Sequence, residues 1–329
     1  MNRLRIVLIL LLAFSGSLFS WPKKMVIIVP VADLRSECSV VTDLSHSKFD
    51  RKQYSQLLFG EKIIADKEVD GWLYVSAIDQ EVYDNDKKDF IGCPGWIRSD
   101  QAVEVKNFSD YNLVVRDKSA AIWHESENEE IIRVLLGAEL NGEIGEDDFF
   151  YVDLPEGKGR IKKSSVINFE DFDTDGISLR SSICTIATLF LSGPYTWGGR
   201  SIYDELLEKQ GQLTGVDCSN LVALCYKICG MKIPRNTNSQ YKKCTVLDFG
   251  KDLKPADLVF VASEGPLGYK IDHVMLYVGN DCFIESICGK IMKVVNSTGK
   301  ERFGRSVRQL SHGDITDCGK VYLGTFFGI

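Results

Sequence analysis

Histidine is scarce in this 329-residue chain, with four in all (His46, His124, His273, His312), and no two cysteines have the C-x-x-C spacing. A structural zinc site draws on such pairs and on clustered histidines, so neither a metal nor another cofactor is expected. Basic residues are also in deficit, 39 Lys and Arg against 46 Asp and Glu, a formal charge of -7, with no basic stripe. That balance excludes nucleic acid as a natural partner. Long apolar runs are missing too. The longest near the start, Ile6 to Phe14, falls short of the roughly 20 residues that span a bilayer. With Arg3 and Arg5 before it and Ser15, Gly16 and Ser17 after it, the segment 1–20 reads as a secretion signal. Cleavage is expected near Ser17 or Ser20, with an uncleaved anchor as the alternative. No cysteine follows closely enough to signal lipid attachment.

Ten cysteines are present, and in an oxidising compartment some would pair. Reserving one as a nucleophile leaves nine, so at least one more stays free or pairs between chains. Residues 25–170 lack any long helical period. Short β-rich runs such as Met25 to Val31, Trp72 to Val75, Ile131 to Leu136 and Phe149 to Val152 alternate there with Gly, Asp and Asn. A strand, a Leu-Leu segment with glycine and an aromatic strand occur in that order twice, which predicts two copies of one small β-barrel, 25–105 and 108–172. From 178 the pattern changes. A helical segment at Ile183 to Leu191 precedes Gly193-Pro194-Tyr195-Thr196-Trp197-Gly198-Gly199. Strands are predicted at Leu258 to Val261, His273 to Val278, Cys282 to Ile287 and Val321 to Phe327, an α+β layout for 178–329.

Cys218 is the residue with chemistry in it. Leu221, Val222, Cys225, Ile228 and Cys229 follow it at helical spacing, and Gly230 and Pro234 supply the stop. Cys218 therefore sits in a first helical turn, where unpaired N–H groups and the macrodipole favour a thiolate. Cys225 and Cys229 read as core residues of the same helix. His273 opens a strand downstream, and a histidine there is a packed core residue or the thiol's base. The turn Gly279-Asn280-Asp281 would return the chain so that Glu285 lies beside His273, either to orient it or as an exposed strand residue.

Tyr195-x-Trp197-Gly198-Gly199, Asp217-Cys218-Ser219, Pro234-Arg235 with Gln240, Leu253-x-Pro255-x-Asp257-Leu258-Val259-Phe260 and His273-Val274-x-x-Tyr277-Val278-Gly279 together resemble the NlpC/P60 cysteine peptidases. The first β half resembles bacterial SH3-like domains. The resemblance implies a multidomain protein, two small all-β SH3-like barrels followed by an α+β papain-like domain, that hydrolyses peptidoglycan stem peptides. The expected bond lies between γ-D-glutamate and meso-diaminopimelate. It implies Cys218 as nucleophile, His273 as acid/base, Glu285 where the family often has histidine, and Tyr195 at the oxyanion. Trp197, Asp217, Ser219, Arg235 and Thr237 are implied at the substrate, Asp217 also fitting a helix cap. Three departures stand out. The loop 200–216 is long and contains a short helical stretch, Ile202 to Glu208, placed to wall or lid the cleft. Asn236-Thr237 replaces the acidic residue and serine of relatives that require a free N-terminal L-alanine, and Cys93 stands where tyrosine is common. The expected setting is secreted, periplasmic or cell-envelope, without stable membrane insertion. An amidase cutting between muramic acid and L-alanine, and a non-catalytic wall-binding protein, are the competing readings.

Overall fold

The computed structural model describes residues 21–328 except 47–48, 146, 156, 173–174, 267 and 289–291. The secretion signal expected at 1–20 lies outside the described residues. No helix among them is long and apolar enough to cross a membrane, and the cysteines are free thiols.

The first β-rich region is one antiparallel sheet of seven strands, in the order Gln53–Leu58, Val31–Arg35, Asp89–Arg98, Trp72–Asp84, Lys62–Val69, Lys23–Ile27 and Ala102–Glu104. Leu73, Val75 and Ala77 point into the core while Tyr74 and Ser76 alternate with them, the two-residue period of a strand with one buried face. Asp70 and Gly71 both have positive φ and close the hairpin between Val69 and Trp72, as the twist of a two-residue hairpin turn requires. The second region splits into a five-stranded sheet, from Glu130–Leu135 to Gly142–Ile144, and a three-stranded one around Leu113–Val115. Two closed barrels were expected, but among the described residues the hydrogen-bonded strand order of each sheet has two ends. The strand containing Trp72 shows one reason. It runs on to Asp84, far beyond Val75, and after a register shift its outer part pairs with Asp89–Gly92 and leaves the sheet as an arm. That arm reaches the C-terminal region, where Arg235 N–H donates to the Glu81 carbonyl and Ser239 Oγ accepts from Tyr83 N–H.

The C-terminal region is a sheet in the order Thr245–Val246, Gly319–Thr325, Leu258–Gly265, Gly268–Gly279, Cys282–Ile287 and Lys293–Thr298. The helices Gly176–Thr188 and Cys218–Ile228 pack with it. The other face has its own core of Val259, Met275, Phe283 and Leu323. Periodicity predicts that the Cys218 helix has one apolar stripe; instead all eleven of its residues are buried. Its core joins Leu58 of the first region and Leu135 and Leu136 of the second to Leu221, Leu224 and Ile228. A helix covered on every side must satisfy its polar groups internally. Ser219 donates to Asp217, Asn220 Nδ2 to the Gly199 carbonyl, and Lys227 Nζ to Glu61 and the Gly137 carbonyl.

Candidate active site

The nucleophile helix starts where it does because Asp217 caps it. Asp217 has extended backbone, and its Oδ1 accepts from the Asn220 N–H at 2.8 Å. Its other oxygen pairs with Arg235 at 2.8 Å, and Arg235 also donates to Ser219 Oγ at 3.2 Å. Asp217, Ser219 and Arg235 thus bond to one another at the mouth of the helix, with the buried Arg235 Nε left without a partner, so substrate would meet them as an assembled set rather than as free groups. Cys218, 8% exposed, is the first residue of the helix and borders a cleft of about 430 Å³. Its Sγ lies 3.8 Å from Thr237 Oγ1.

His273 and Glu285 meet through a hairpin. Asn280 and Asp281 both have positive φ, and the register sets Leu276 opposite Ile284, leaving His273 and Glu285 diagonal across the two strands. Asp281 stiffens the turn by accepting from the Val307 N–H at 2.7 Å and from Ser306 Oγ at 2.9 Å. His273 Nε2 is 2.7 Å from Glu285 Oε2. Burial would lower the histidine's pKa, but its hydrogen bonds with Cys218 and Glu285 outweigh that and raise it to about 9. Glu285 is fully buried. Burial works against its charge, yet His273, Arg302 and Ser297 together keep its carboxyl below the ordinary glutamate range. Arg302 Nε stands 3.2 Å from Oε1, which also accepts from the Ser297 hydroxyl. Neither Ser297 nor Arg302 is suggested by the sequence, since no motif or periodicity links them to Glu285.

Tyr195 is buried at the cleft wall. Burial, together with the nearby Cys218 and Asp217, pushes its phenol well above the ordinary range, which keeps it a hydrogen-bond donor. Trp197, 40% exposed, also borders the cleft. Asn236 caps the helix Thr237–Lys243 by accepting from the Ser239 N–H at 2.8 Å. This gives the residue a structural use at the position where an acid was expected. The cleft also draws on the N-terminal β half, which was expected to help wall it, through residues that, Cys93 apart, no motif singles out. Its walls include Arg51, Tyr54, Tyr83 and Cys93 of the first β region, and Phe49 packs edge-on against both Tyr195 and Trp197. The long loop 200–216 was expected to wall the cleft, and no residue of it does so. It forms the helix Glu205–Lys209, from which Glu208 reaches His46 at 3.2 Å. The reason lies in its ends. Arg200–Ser201 pairs with Gly215–Val216, so the loop folds away as a hairpin of its own.

A family model described as the NlpC/P60 family matches residues 192–310. The gamma-D-glutamyl-L-lysine dipeptidyl-peptidase of Bacillus subtilis (strain 168) is 30% identical over 247 residues, covering 74% of this chain and 76% of the relative. A protein of the same name from Bacillus cereus is 26% identical over 243 residues, 71% of this chain and 67% of that one. Over 95 residues, 28% of this chain and 31% of the relative, the murein DD-endopeptidase MepH of Escherichia coli is 39% identical. Among solved structures, an NlpC/P60 family protein from Bacillus cereus superimposes with a TM-score of 0.69 at 21% identity, over 84% of this chain and 94% of that one. That likeness speaks for the fold.

Proposed function

This chain belongs to the NlpC/P60 family and is a peptidase, and from that membership we propose that it cleaves peptidoglycan stem peptides between γ-D-glutamate and a diamino acid, meso-diaminopimelate or lysine. Relatives named as peptidoglycan endopeptidases and γ-D-glutamyl dipeptidyl-peptidases support the substrate class. The observation that carries the chemistry is the chain of contacts from a helix-terminal Cys218 to His273 and on to a buried Glu285.

In this reading the Cys218 thiolate attacks the amide carbonyl, and the carbonyl π pair moves onto oxygen. The Cys218 backbone N–H and the Tyr195 hydroxyl donate to that oxyanion. As the tetrahedral species collapses, the C–N bond breaks and His273 gives its proton to the departing amine. A water, deprotonated by His273, then hydrolyses the thioester and returns the thiolate. Glu285 holds the imidazole in one orientation and stabilises the imidazolium between these steps. Trp197 and Thr237 border the substrate, while Asp217, Ser219 and Arg235 keep the helix mouth in shape. The first of the two N-terminal β regions, both of which we take to be SH3-like, walls the cleft. Action in the cell envelope after secretion follows from the substrate.

The test is incubation of the mature protein and its Cys218→Ala variant with muropeptides of known structure, with the products weighed. Loss of a diamino-acid fragment with the native enzyme alone is the expected result. Release of the whole stem from the sugar would replace this reading with an amidase. No product under reducing conditions would reject catalysis.

A further inference from the structure

Two parts of the chain that the reaction does not use, the segment 36–52 of the first β region and the loop 200–216, meet at His46. Its Nε2 lies 3.2 Å from Glu208 Oε2, and its ring stands edge-on to Tyr203 at 6.4 Å. Glu208 is fixed from the other side, since its Oε1 accepts from the Thr214 N–H at 2.6 Å and from the Thr214 hydroxyl at 2.8 Å. The other imidazole nitrogen, Nδ1, lies 3.0 Å from Thr196 Oγ1. Thr196 gives its own proton to the Thr214 carbonyl at 2.9 Å, so Oγ1 is left to accept from Nδ1–H. A histidine bonded in this way on a surface segment is ordinarily a tether with no bearing on chemistry. Two observations set this one apart. Thr196 stands between Tyr195 and Trp197, both of which border the cleft. Phe49, three positions after His46, meets both of their rings edge-on, with centroids 5.9 and 5.5 Å away.

The backbone of Tyr195 and Thr196 is held independently, by Tyr195 N–H to the Met292 carbonyl at 2.9 Å and Thr196 N–H to the Val216 carbonyl at 3.2 Å. Those bonds leave open the rotation of the Tyr195 side chain, which sets where its hydroxyl stands. A catalytic donor has to be kept within about 0.5 Å of its productive position, and an edge-on aromatic neighbour restricts the ring. Phe49 is itself 43% exposed, so burial does not fix it in place and its own segment must. Ser36 N–H to the Lys52 carbonyl closes the base of that segment, and His46 ties it to the C-terminal region. We propose that His46 is a positioning residue: clasped between Glu208 and Thr196, it seats Phe49 so that the Tyr195 hydroxyl stays aimed at the oxyanion. The inference rests on the peptidase reading above, with Tyr195 as an oxyanion donor. It gives the loop 200–216 a use, because Glu208 supplies the far side of the clasp.

A double-mutant cycle in kcat tests this. His46→Ala and Tyr195→Phe are made singly and together, and turnover of a muropeptide of known structure is measured at saturation. Tyr195→Phe should lower kcat about 100-fold or more, the effect of removing one oxyanion donor. His46→Ala should lower kcat about tenfold, since an ångström-scale misplacement costs up to about 100-fold, while KM moves much less. On Tyr195→Phe, which keeps the ring and lacks the hydroxyl, the same change at His46 should leave kcat alone. Phe49→Ala should repeat this pattern, and His46→Gln, which keeps one of the two bonds, should recover part of the loss. Equal losses in the two backgrounds would overturn the proposal, because an enzyme that is merely less well folded loses activity whatever residue stands at 195. So would an unchanged kcat in His46→Ala, a fall confined to KM, or a Tyr195→Phe enzyme as fast as the native one. Cleavage by the native enzyme separates the two failures. Without it the peptidase reading falls and takes the role of His46 with it; with it, an additive cycle rejects the clasp alone.

Discussion

His273 titrates well above a free imidazole, from an ordinary 6.5 to about 9, because its bonds with Cys218 and Glu285 outweigh burial. A histidine whose pKa rises on folding contributes stability that is complete below about 6.5 and lost as pH climbs through about 9. Turnover should fall over the same upper limb, since a neutral His273 has no proton for the leaving amine. Replacing Glu285 by glutamine removes the charge and keeps the shape. The charge-assisted bond it loses is worth about 1.5–3 kcal/mol, so kcat/KM should drop about 10–100-fold and the alkaline limb should move to lower pH. A pH–rate profile of Glu285→Gln checks this, and an unmoved limb would remove Glu285 from the mechanism. Cys218, His273 and Glu285 were all legible as candidates. A helix start, a strand start and a two-residue hairpin turn are local patterns. Ser297 and Arg302, which hold Glu285, were not, because one comes from the paired strand Lys293–Thr298 and the other from the helix Gly299–Phe303, and neither placement leaves a trace in spacing.

The loop carrying Gly198 and Gly199 shows why an element before the nucleophile helix is glycine-rich. Gly198 has φ +68, and a Cβ there would stand 2.7 Å from the Gln53 carbonyl oxygen. Both the left-handed backbone and the close approach of the first sheet demand glycine. Gly198→Ala should cost about 1–3 kcal/mol from backbone conformation alone, with the clash added, and should loosen the wall formed by Gln53 and Arg51. Thermal unfolding gives the first quantity, and the KM of a cleavable stem peptide gives the second. The expected signature is a lowered midpoint together with a raised KM. The helix itself was readable in place and length but not in burial. Periodicity marks Ser219, Asn220 and Lys227 as a solvent-facing stripe, whereas all three are buried, Lys227 against Glu61 and Glu139 of the two other regions and Ser219 and Asn220 against Arg235 and the Gly199 carbonyl.

At the scale of the molecule, Glu61 joins the regions. It belongs to the first, accepts from Arg200 and Lys227 of the C-terminal one, and Lys227 also pairs with Glu139 of the second at 3.2 Å. Burial opposes its charge, but Arg200 and Lys227 prevail and hold its pKa at about 2. For a carboxylate lowered in this way, the stability is present above about 4.5 and disappears as pH falls toward 2. Glu61→Gln leaves two buried cations short of a partner, which should cost about 3–5 kcal/mol. Calorimetry at neutral pH should show the N-terminal and C-terminal regions beginning to melt apart in the variant. A single transition at the native temperature would show that packing alone couples them.

The sequence by itself determined what short-range rules govern: the β-rich first half, the helix behind Cys218 and the hairpin that pairs His273 with Glu285. Tertiary structure alone decided that the N-terminal strands form open sheets, that the 200–216 loop buttresses His46 rather than covering the cleft, and that Arg51 borders the cleft while Phe49 packs on its Tyr195 and Trp197. The physical reason is distance along the chain. Alternation and helical period report on neighbours two to four residues apart, whereas Glu61 meets Arg200 and Lys227 across 139 and 166 residues. Contacts at that separation are selected by packing and charge satisfaction once the chain has closed on itself, and no spacing rule records them.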